Sequence, residues 1–382
     1  MHRESSCPGQ NSHVVSACVF DAQSLASAFV FACKIVVTQV HQSKAPRFRL
    51  SPSAPSASEI LMLRIVAPFL LALSLTVAAA AQVNISGIIS DGAGGPLLAG
   101  TTYVATGNLL VLSPSVLTIQ PGAIIKFTAG SGYYFYIAGT VQAGAFPGAT
   151  TVFTSTQDDS VGIDVSGPGV QTGAPGDWVG LQMVGTSGAS VIDNCHVRFA
   201  GTTSFGGMRI DGGSPLITRS TISNCTGSGI WLSSVATPTL SNCAINSNTK
   251  YAIDQAPWNA VTGFSNNTAT GNTLGNYIRF TNTGFGGNLA LPASASMNSN
   301  GVWVVNQSLF VLSTQTLTLP PGTKMKMAAG TFLQVEGILS ANGTGNQIVF
   351  TSIADDSIGG DTNANGPSSG TPGDWSQLRF NS

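Results

Sequence analysis

The chain contains the stretch Leu117-Thr-Ile-Gln-Pro-Gly122, and a near copy, Leu317-Thr-Leu-Pro-Pro-Gly322, follows 200 residues later. A second match lies further along, where Val152-Phe-Thr-Ser155 returns as Val349-Phe-Thr-Ser352 after 197 residues. Matches that keep their order along a chain indicate that one structural unit occurs twice. A chain built in this way folds by stacking its repeats rather than around one globular core.

The duplicated cassette spans about residues 98–200 and 298–382, and short apolar runs within and after its first copy form three series, spaced mostly by 22 to 28 residues. The first series is Leu109–Leu112, Tyr134–Ile137, Val179–Met183, Gly207–Ile210, Gly229–Leu232 and Tyr251–Asp254. The second is Leu117–Ile119, Thr140–Gln142, Ser190–Asp193, Pro215–Thr218 and Pro238–Ser241. The third is Ile124–Phe127, Thr151–Thr154, His196–Phe199, Thr221–Ser223 and Ala244–Asn246. Three strand series that advance together predict an all-β, three-sided parallel β-helix.

Alternation along each strand decides which side chains enter the core of such a solenoid. In the first series we expect Met208 and Ile210 to point inward and Arg209 to point outward. In the next coil we expect Ile230 to point inward and Trp231 outward. The outward side chains of successive coils then form columns on flat faces.

Three cysteines lie in the repetitive part of the chain, an odd number that argues against a disulfide framework. Cys195, Ser220 and Cys243 take the same position in successive coils, so we expect small buried residues at one corner. Cys195 and Cys243 are then two coils apart, roughly twice the strand spacing of about 4.8 Å and beyond disulfide reach.

The composition favours strands and turns over helices, since only 8% of the residues are charged while glycine numbers 45. From Ile65 onward the chain carries nine basic and 13 acidic residues, a net charge of −4. A mildly acidic body gives little electrostatic support for binding phosphate backbones, so we expect no nucleic-acid partner.

The segment 62–81 has the three parts of a secretory signal peptide: Arg64, an apolar run, and the small residues Ala78–Ala81. We expect cleavage after Ala81, no membrane span in the mature chain, and a secreted or bacterial cell-surface location. We interpret residues 1–61 as a gene-model extension or a disordered segment. The alternative is a signal-anchor helix, because the apolar run is only marginally short for a bilayer.

The cassette resembles a known family in its Leu117-Thr-Ile-Gln-Pro-Gly122 turn, Phe153-Thr-Ser155, Asp158-Asp159 and Gly176-Asp-Trp178. It looks like the right-handed parallel β-helix repeat proteins of bacterial surfaces, within the broad pectate-lyase-like superfamily. The resemblance covers nearly all of residues 98–382 and implies the handedness of the solenoid. It does not imply one function, because the same scaffold carries lyases, hydrolases, epimerases and adhesins.

The two copies of the cassette differ in how the chain continues beyond them. After Trp178 the chain runs on through several coils, whereas after Trp375 it ends within seven residues, at Ser382. A solenoid that ends in mid-coil lacks a polar cap. We therefore expect the β-helix to be truncated at its C-terminal side.

A loop of the second cassette suggests a calcium site through the residues Asp355, Asp356, Asp361, Asn363 and Asn365. The D-x-N-x-N-G spacing from Asp361 lets alternate oxygen side chains converge on Ca²⁺, while Gly366 permits the sharp turn. Calcium is therefore the candidate cofactor. The alternative is a solvated turn in which Asp and Asn serve turn geometry.

Outward positions of successive coils predict a ligand-binding column made of Gln182, Arg209, Trp231 and Asp254. An indole ring supplies an apolar platform, and the amide, guanidinium and carboxylate groups can orient sugar hydroxyls. We therefore predict a non-catalytic secreted or cell-surface protein that binds a polysaccharide or another surface polymer. The alternative for the column is an ordinary exposed sheet face.

The rival function is a polysaccharide lyase or glycoside hydrolase of the pectate-lyase-like kind. Its catalytic residues would be Arg209 and Arg219 with Asp211 or Asp193. The paired Asp158-Asp159 is similar to a polygalacturonase motif, but the accompanying motifs of that family do not occur in matching order. We assign no catalytic residue.

Overall fold

A computed structural model describes residues 82–280 and 282–381 of the chain. They form a right-handed β-helix of about 11 turns whose strands pair in parallel with those of the neighbouring turns. The predicted extension 1–61 and the predicted signal peptide 62–81 lie outside the described residues. Within the described ranges, no helix has the length and hydropathy needed to cross a bilayer.

The strands define three faces, and one further strand, Gln82–Ile88, pairs with the first strand of the solenoid. Face A comprises the end of Thr102–Val111, then Tyr134–Ile137, Gly180–Val184, Met208–Asp211, Ile230–Leu232, Tyr251–Ala256, Gly275–Phe280, Leu309–Val311, Phe332–Val335 and Gln377–Phe380. Face B comprises Val116–Ile119, Thr140–Ala143, Val191–Asp193, Leu216–Thr218, Thr239–Ser241, Phe264–Ser265, Leu289–Ala290, Thr316–Leu319 and Ile338–Ala341. Face C comprises Ile124–Phe127, Thr151–Ser155, Cys195–Arg198, Thr221–Ser223, Ala244–Asn246, Thr268–Thr270, Val302–Val305, Lys324–Met327 and Val349–Ser352.

Sheet pairing is interrupted between the two halves of the solenoid. In the first half, the long strand Thr102–Val111 turns a corner and joins faces A and C into one 14-stranded sheet. The short 3₁₀ helices are Gly185–Ser187, Trp258–Gly263, Ala293–Ala295 and Met297–Ser299. The last two follow Leu289–Ala290, and from that strand onward the faces continue as three separate three-stranded sheets.

The core follows the predicted alternation. Met208, Ile210 and Leu232 are fully buried, whereas Arg209 and Trp231 are only half-buried on face A. The three-sided parallel solenoid expected from the sequence is therefore confirmed.

Two pairs of aromatic rings stack inside the solenoid. Phe127 and Trp178 lie parallel with ring centroids 4.1 Å apart, and Trp258 and Phe280 lie parallel at 3.7 Å. The indole N–H of Trp178 still reaches the carbonyl of Arg198 at 3.0 Å. Each buried ring thus keeps its large apolar area while the polar atom of Trp178 is satisfied.

The cysteines occupy the positions expected from the repeat. Cys195, Cys225 and Cys243 are buried and free. The backbone N–H of Cys195 donates to Ser220 Oγ at 3.0 Å, one coil away. Burial raises the pKa of the Cys243 thiol to about 11, so it stays protonated at neutral pH.

A ladder of buried asparagines runs along the corner between faces C and A. Asn248 Oδ1 accepts from the backbone N–H of Cys225 at 3.1 Å, and Asn272 Oδ1 accepts from the N–H of Asn248 at 3.1 Å. The Asn248 amide also donates to the carbonyl of Ile222 at 3.3 Å. At a corner the hydrogen bonding between strands is interrupted. The asparagine amides bond to the backbone N–H and C=O groups that would otherwise have no partner there.

We predict that Asn248→Ala destabilises the protein by roughly 3 kcal/mol, because several buried hydrogen-bonding groups lose their partner. Urea unfolding followed by far-UV circular dichroism measures the change. The control is Asn259→Ala, which removes two hydrogen bonds to Gly286 at an exposed site and should cost less than about 1 kcal/mol. Equal losses in the two variants would contradict a special role for the ladder.

Candidate functional site

The parallel register places the predicted column on adjacent coils of face A. Arg209 pairs with Gln182 on one side and with Trp231 on the other, and Trp231 pairs with Asp254. The four side chains therefore succeed one another along the solenoid axis. Successive members are separated by one strand spacing, about 4.8 Å.

Arg209 is the centre of a cluster that includes two aromatic rings, the first arginine cluster. Its guanidinium carbon lies 4.1 Å from the ring centroid of Phe205 and 5.3 Å from that of Trp231. The two rings meet edge to face with centroids 5.3 Å apart. Asp211 forms an ion pair with Arg209. The cluster thus presents apolar ring surface beside a guanidinium held in one orientation.

Asp254 does not offer a free carboxylate to a ligand. It is only 6% exposed, and its Oδ1 lies 2.6 Å from Nε of Arg279 on the next coil. Arg279 lies over the ring of Tyr251 at 5.0 Å, and Tyr251 packs against Tyr277 at 5.4 Å. Burial opposes the charge of Arg279, but the hydrogen bond and charge of Asp254 outweigh it and raise the pKa of Arg279. These residues form the second arginine cluster.

A third arginine cluster occupies face A in the second cassette. The guanidinium of Arg379 lies 5.0 Å from the ring centroid of Phe332, which meets Phe310 edge to face at 5.4 Å. Arg379 donates to the side-chain oxygen of Gln334, and Gln334 donates to Glu336 at 2.6 Å. The same combination of arginine, aromatic ring and compensating acceptor therefore occurs three times on one face.

Sequence reasoning missed part of each cluster. Phe205 lies in a turn rather than a strand, so strand periodicity gives no signal for it. Arg279 lies one coil beyond Asp254, and extending the column by one repeat would have found it. Arg379 is found by applying the shift of 197 residues to Gln182 of the first cassette.

The residues of the enzymatic rival fall into two separate ion pairs. Arg209 pairs with Asp211 on face A, whereas Arg219 pairs with Asp193 at 2.6 Å at the corner that comes after face B. Burial opposes the charge of Asp193, but hydrogen bonds from Arg219 and Thr218 prevail and lower the pKa of Asp193. The structure does not bring the two arginines together.

Asp158, from the paired aspartates of the first cassette, anchors a loop. It is 2% exposed, lies 2.6 Å from Nη2 of Arg198 and accepts from Thr154 at 2.5 Å. Burial opposes its charge, but the hydrogen bonds from Thr154 and Ser160 and the charge of Arg198 lower the pKa of Asp158. An aspartate held ionised in this way suits a structural anchor better than a general acid.

The loop also covers a fully buried lysine. Lys126 Nζ donates to the carbonyls of Asp158 at 2.9 Å and Ile163 at 2.8 Å. Its counterpart in the second cassette, Lys326, is equally buried and donates to the carbonyl of Gly360 at 2.6 Å. Each cassette therefore holds its loop against face C with a buried ammonium group.

The five residues of the predicted calcium loop have different partners in the structure. Asp355 accepts from Ser357 at 2.5 Å and from Thr351 at 2.6 Å. Asp356 accepts from the backbone of Ser368 at 2.6 Å.

The remaining residues of that loop do not share one set of contacts. Asp361 caps the turn by accepting from the backbone of Asn365 at 3.2 Å and of Gly366 at 3.0 Å. Asp356 Oδ1 and Asn363 Oδ1 are buried and have no hydrogen-bond donor. In the part of the chain that the structure describes, no three His, Cys, Asp or Glu side chains form a group able to hold a metal. Calcium at this loop stays a prediction.

If the loop binds calcium, thermal melts in calcium and in chelator should differ, because a ligand bound only by the native state raises the midpoint. We expect the midpoint to rise in calcium and the rise to disappear in Asn363→Ala. Asp164→Ala in the first cassette is the matched control, since Ser166 replaces an asparagine there. An unchanged midpoint in the wild-type protein would end the calcium hypothesis.

His196 lies on face C and has a partner of its own. Its Nε2 is 2.8 Å from Ser223 Oγ. Burial, together with the charge of Arg198, lowers the pKa of His196 to about 4. The ring is therefore neutral at neutral pH and acts as a half-buried hydrogen-bonding group on this face.

We predict that His196 makes the native state less stable as the pH falls from about 6.5 to about 4, by up to about 3 kcal/mol. In this range the unfolded chain takes up a proton on the imidazole, whereas the folded chain does not. His196→Gln should remove this part of the pH dependence. Urea unfolding of both proteins at about pH 7 and about pH 4.5 measures it, and identical pH dependences would contradict the assignment.

Comparison with known proteins bears on the fold. Residues 179–316 match the family model described as right handed beta helix region. The match includes the coils that carry the first two arginine clusters. No curated protein and no solved structure matches the chain. The family match agrees with the three-sided solenoid of parallel strands, and together they show that the chain has a right-handed parallel β-helix fold.

Proposed function

We propose that this protein is a non-catalytic, secreted or surface-displayed β-helix that binds a polysaccharide or another surface polymer along face A. The observation that carries the proposal is the recurrence of three arginine clusters on that one face. Each combines aromatic rings with a guanidinium in a fixed position. Sugars are recognised by this combination, because their C–H faces pack on rings while their hydroxyls need oriented polar partners.

The geometry of the face suits an extended ligand. Residues of successive coils repeat at about 4.8 Å along the axis, so a polymer lying along face A would meet similar groups at regular intervals. Arg209 and Arg279 are separated by three such steps. The side chains stand on a hydrogen-bonded parallel sheet, so little ordering is needed on binding.

The charged groups of face A support binding rather than catalysis. A general base or acid must reach the reacting atom with a free proton site. Asp254 is nearly buried against Arg279, and Asp211 is paired with Arg209. Export is supported by the signal-like segment 62–81, and the net charge of −4 from Ile65 onward favours ligands other than nucleic acids.

The test is binding of the purified full-length chain to a panel of polysaccharides, measured by affinity electrophoresis and calorimetry. We expect Trp231→Ala and Arg209→Ala each to weaken binding by about 10-fold or more, as is typical of central aromatic and arginine contacts. Arg219→Ala is the matched control. Arg219 has a carboxylate partner, Asp193, and lies over the ring of Phe146 at 5.4 Å, but outside face A.

Two outcomes would contradict the proposal. If no polysaccharide of the panel binds, polysaccharides are not the ligands. If Arg209→Ala and Arg219→Ala lose the same amount of binding affinity, face A is not the binding site. The same incubations are checked for unsaturated products and new reducing ends. Turnover that disappears in Arg209→Ala would favour the rival polysaccharide lyase or hydrolase.

A further inference from the structure

Charges on face A cancel within the face. Its described strands, with the residue directly after each, carry the charged residues Arg209, Asp211, Asp254, Arg279, Glu336 and Arg379, three of each sign. Lys250, at the corner before this face, donates its ammonium group to the carbonyl of Thr203 at 2.7 Å. The face therefore has no surplus of guanidinium charge with which to attract an anion.

For Arg209 and Arg279 the cancellation is local as well as overall. Arg279 has the carboxylate of Asp254 at 2.6 Å, and Arg209 has that of Asp211. Arg379 is linked through Gln334 to Glu336, whose carboxylate accepts from the Gln334 amide at 2.6 Å. Each arginine of the three clusters thus already has an acceptor in the protein, which is a carboxylate for Arg209 and Arg279 and the amide oxygen of Gln334 for Arg379.

This arrangement discriminates between acidic and neutral sugars. A uronate carboxylate that approached Arg209 would meet the charge of Asp211 beside it and would have to displace or tolerate that carboxylate. A neutral sugar meets no such repulsion, and its hydroxyls can bond to the guanidinium and the carboxylate together. The net charge of −4 from Ile65 onward adds a weaker repulsion toward any polyanion.

We propose that the ligand of face A is a neutral polysaccharide whose chain lies along the solenoid axis. This inference rests on the proposed function and specifies its ligand class. The aromatic rings Phe205, Trp231, Tyr251 and Phe332 supply the platforms, and the compensated arginines supply fixed hydrogen-bond donors. Binding then depends on ring contact and hydrogen bonds rather than on long-range attraction.

The experiment compares neutral xylo-, cello- and galacto-oligosaccharides with polygalacturonate and alginate fragments of similar length, using the full-length chain at low and high salt. We expect at least one neutral series to bind, with affinity that changes less than about twofold with salt, since screening affects charge attraction rather than ring contact. We expect the acidic fragments to bind at least about 10-fold more weakly at the same length.

A gain-of-function variant tests the role of the internal carboxylates. Asp211→Asn removes the partner of Arg209 at a position whose side chain is 38% exposed, so the fold should be kept. We expect this variant to gain about 10-fold in affinity for polygalacturonate and to show salt dependence that the wild type lacks. Glu336→Gln, also exposed, tests the third cluster independently.

The control for both variants is Asp193→Asn, which frees Arg219 outside face A and should leave sugar binding unchanged. Preference of the wild type for acidic fragments, or no gain in either Asp211→Asn or Glu336→Gln, would overturn the inference while leaving a glycan-binding function in place. Binding to neither class of sugar would instead remove the proposed function itself.

Discussion

Each coil of this protein is joined to the next by parallel backbone hydrogen bonds, and the other features of the structure depend on this pairing. No single coil can bury its apolar residues alone, so Met208 is shielded only because Leu181 and Ile230 lie beside it in neighbouring coils. The same pairing sets the register of the outward side chains. Loss of register by one residue would turn Arg209 and Trp231 into the core.

The corners are where such pairing is weakest, and buried polar side chains strengthen it there. Asn248 and Asn272 bond to backbone groups of adjacent coils from inside the solenoid. Lys126 and Lys326 form hydrogen bonds on the outer side of face C, where each holds a long loop against that face. These groups tolerate burial because each has hydrogen-bond partners there.

Face A gains its chemical character from this rigid stacking. A guanidinium in one coil reaches an aromatic ring in a neighbouring coil, as Arg209 reaches Trp231 and Arg379 reaches Phe332. The compensating acceptors come from the same strand or from a neighbouring coil. The result is a surface that is polar and aromatic but nearly neutral, which is why we favour neutral glycans as its ligands.

Periodicity along the chain was enough to predict the strand series, the alternation of core and surface residues, the free cysteines and the alignment of Gln182, Arg209, Trp231 and Asp254. These properties repeat at the coil length, so they can be read from one chain without knowing its path in space. The packing of Phe205 on Arg209 and the covering of Lys126 by its loop became visible in the folded chain alone. It also showed that Asp254 is nearly buried against Arg279 rather than open to a ligand. Such contacts depend on the course of turns and loops and on the burial of individual side chains, for which strand periodicity carries no information.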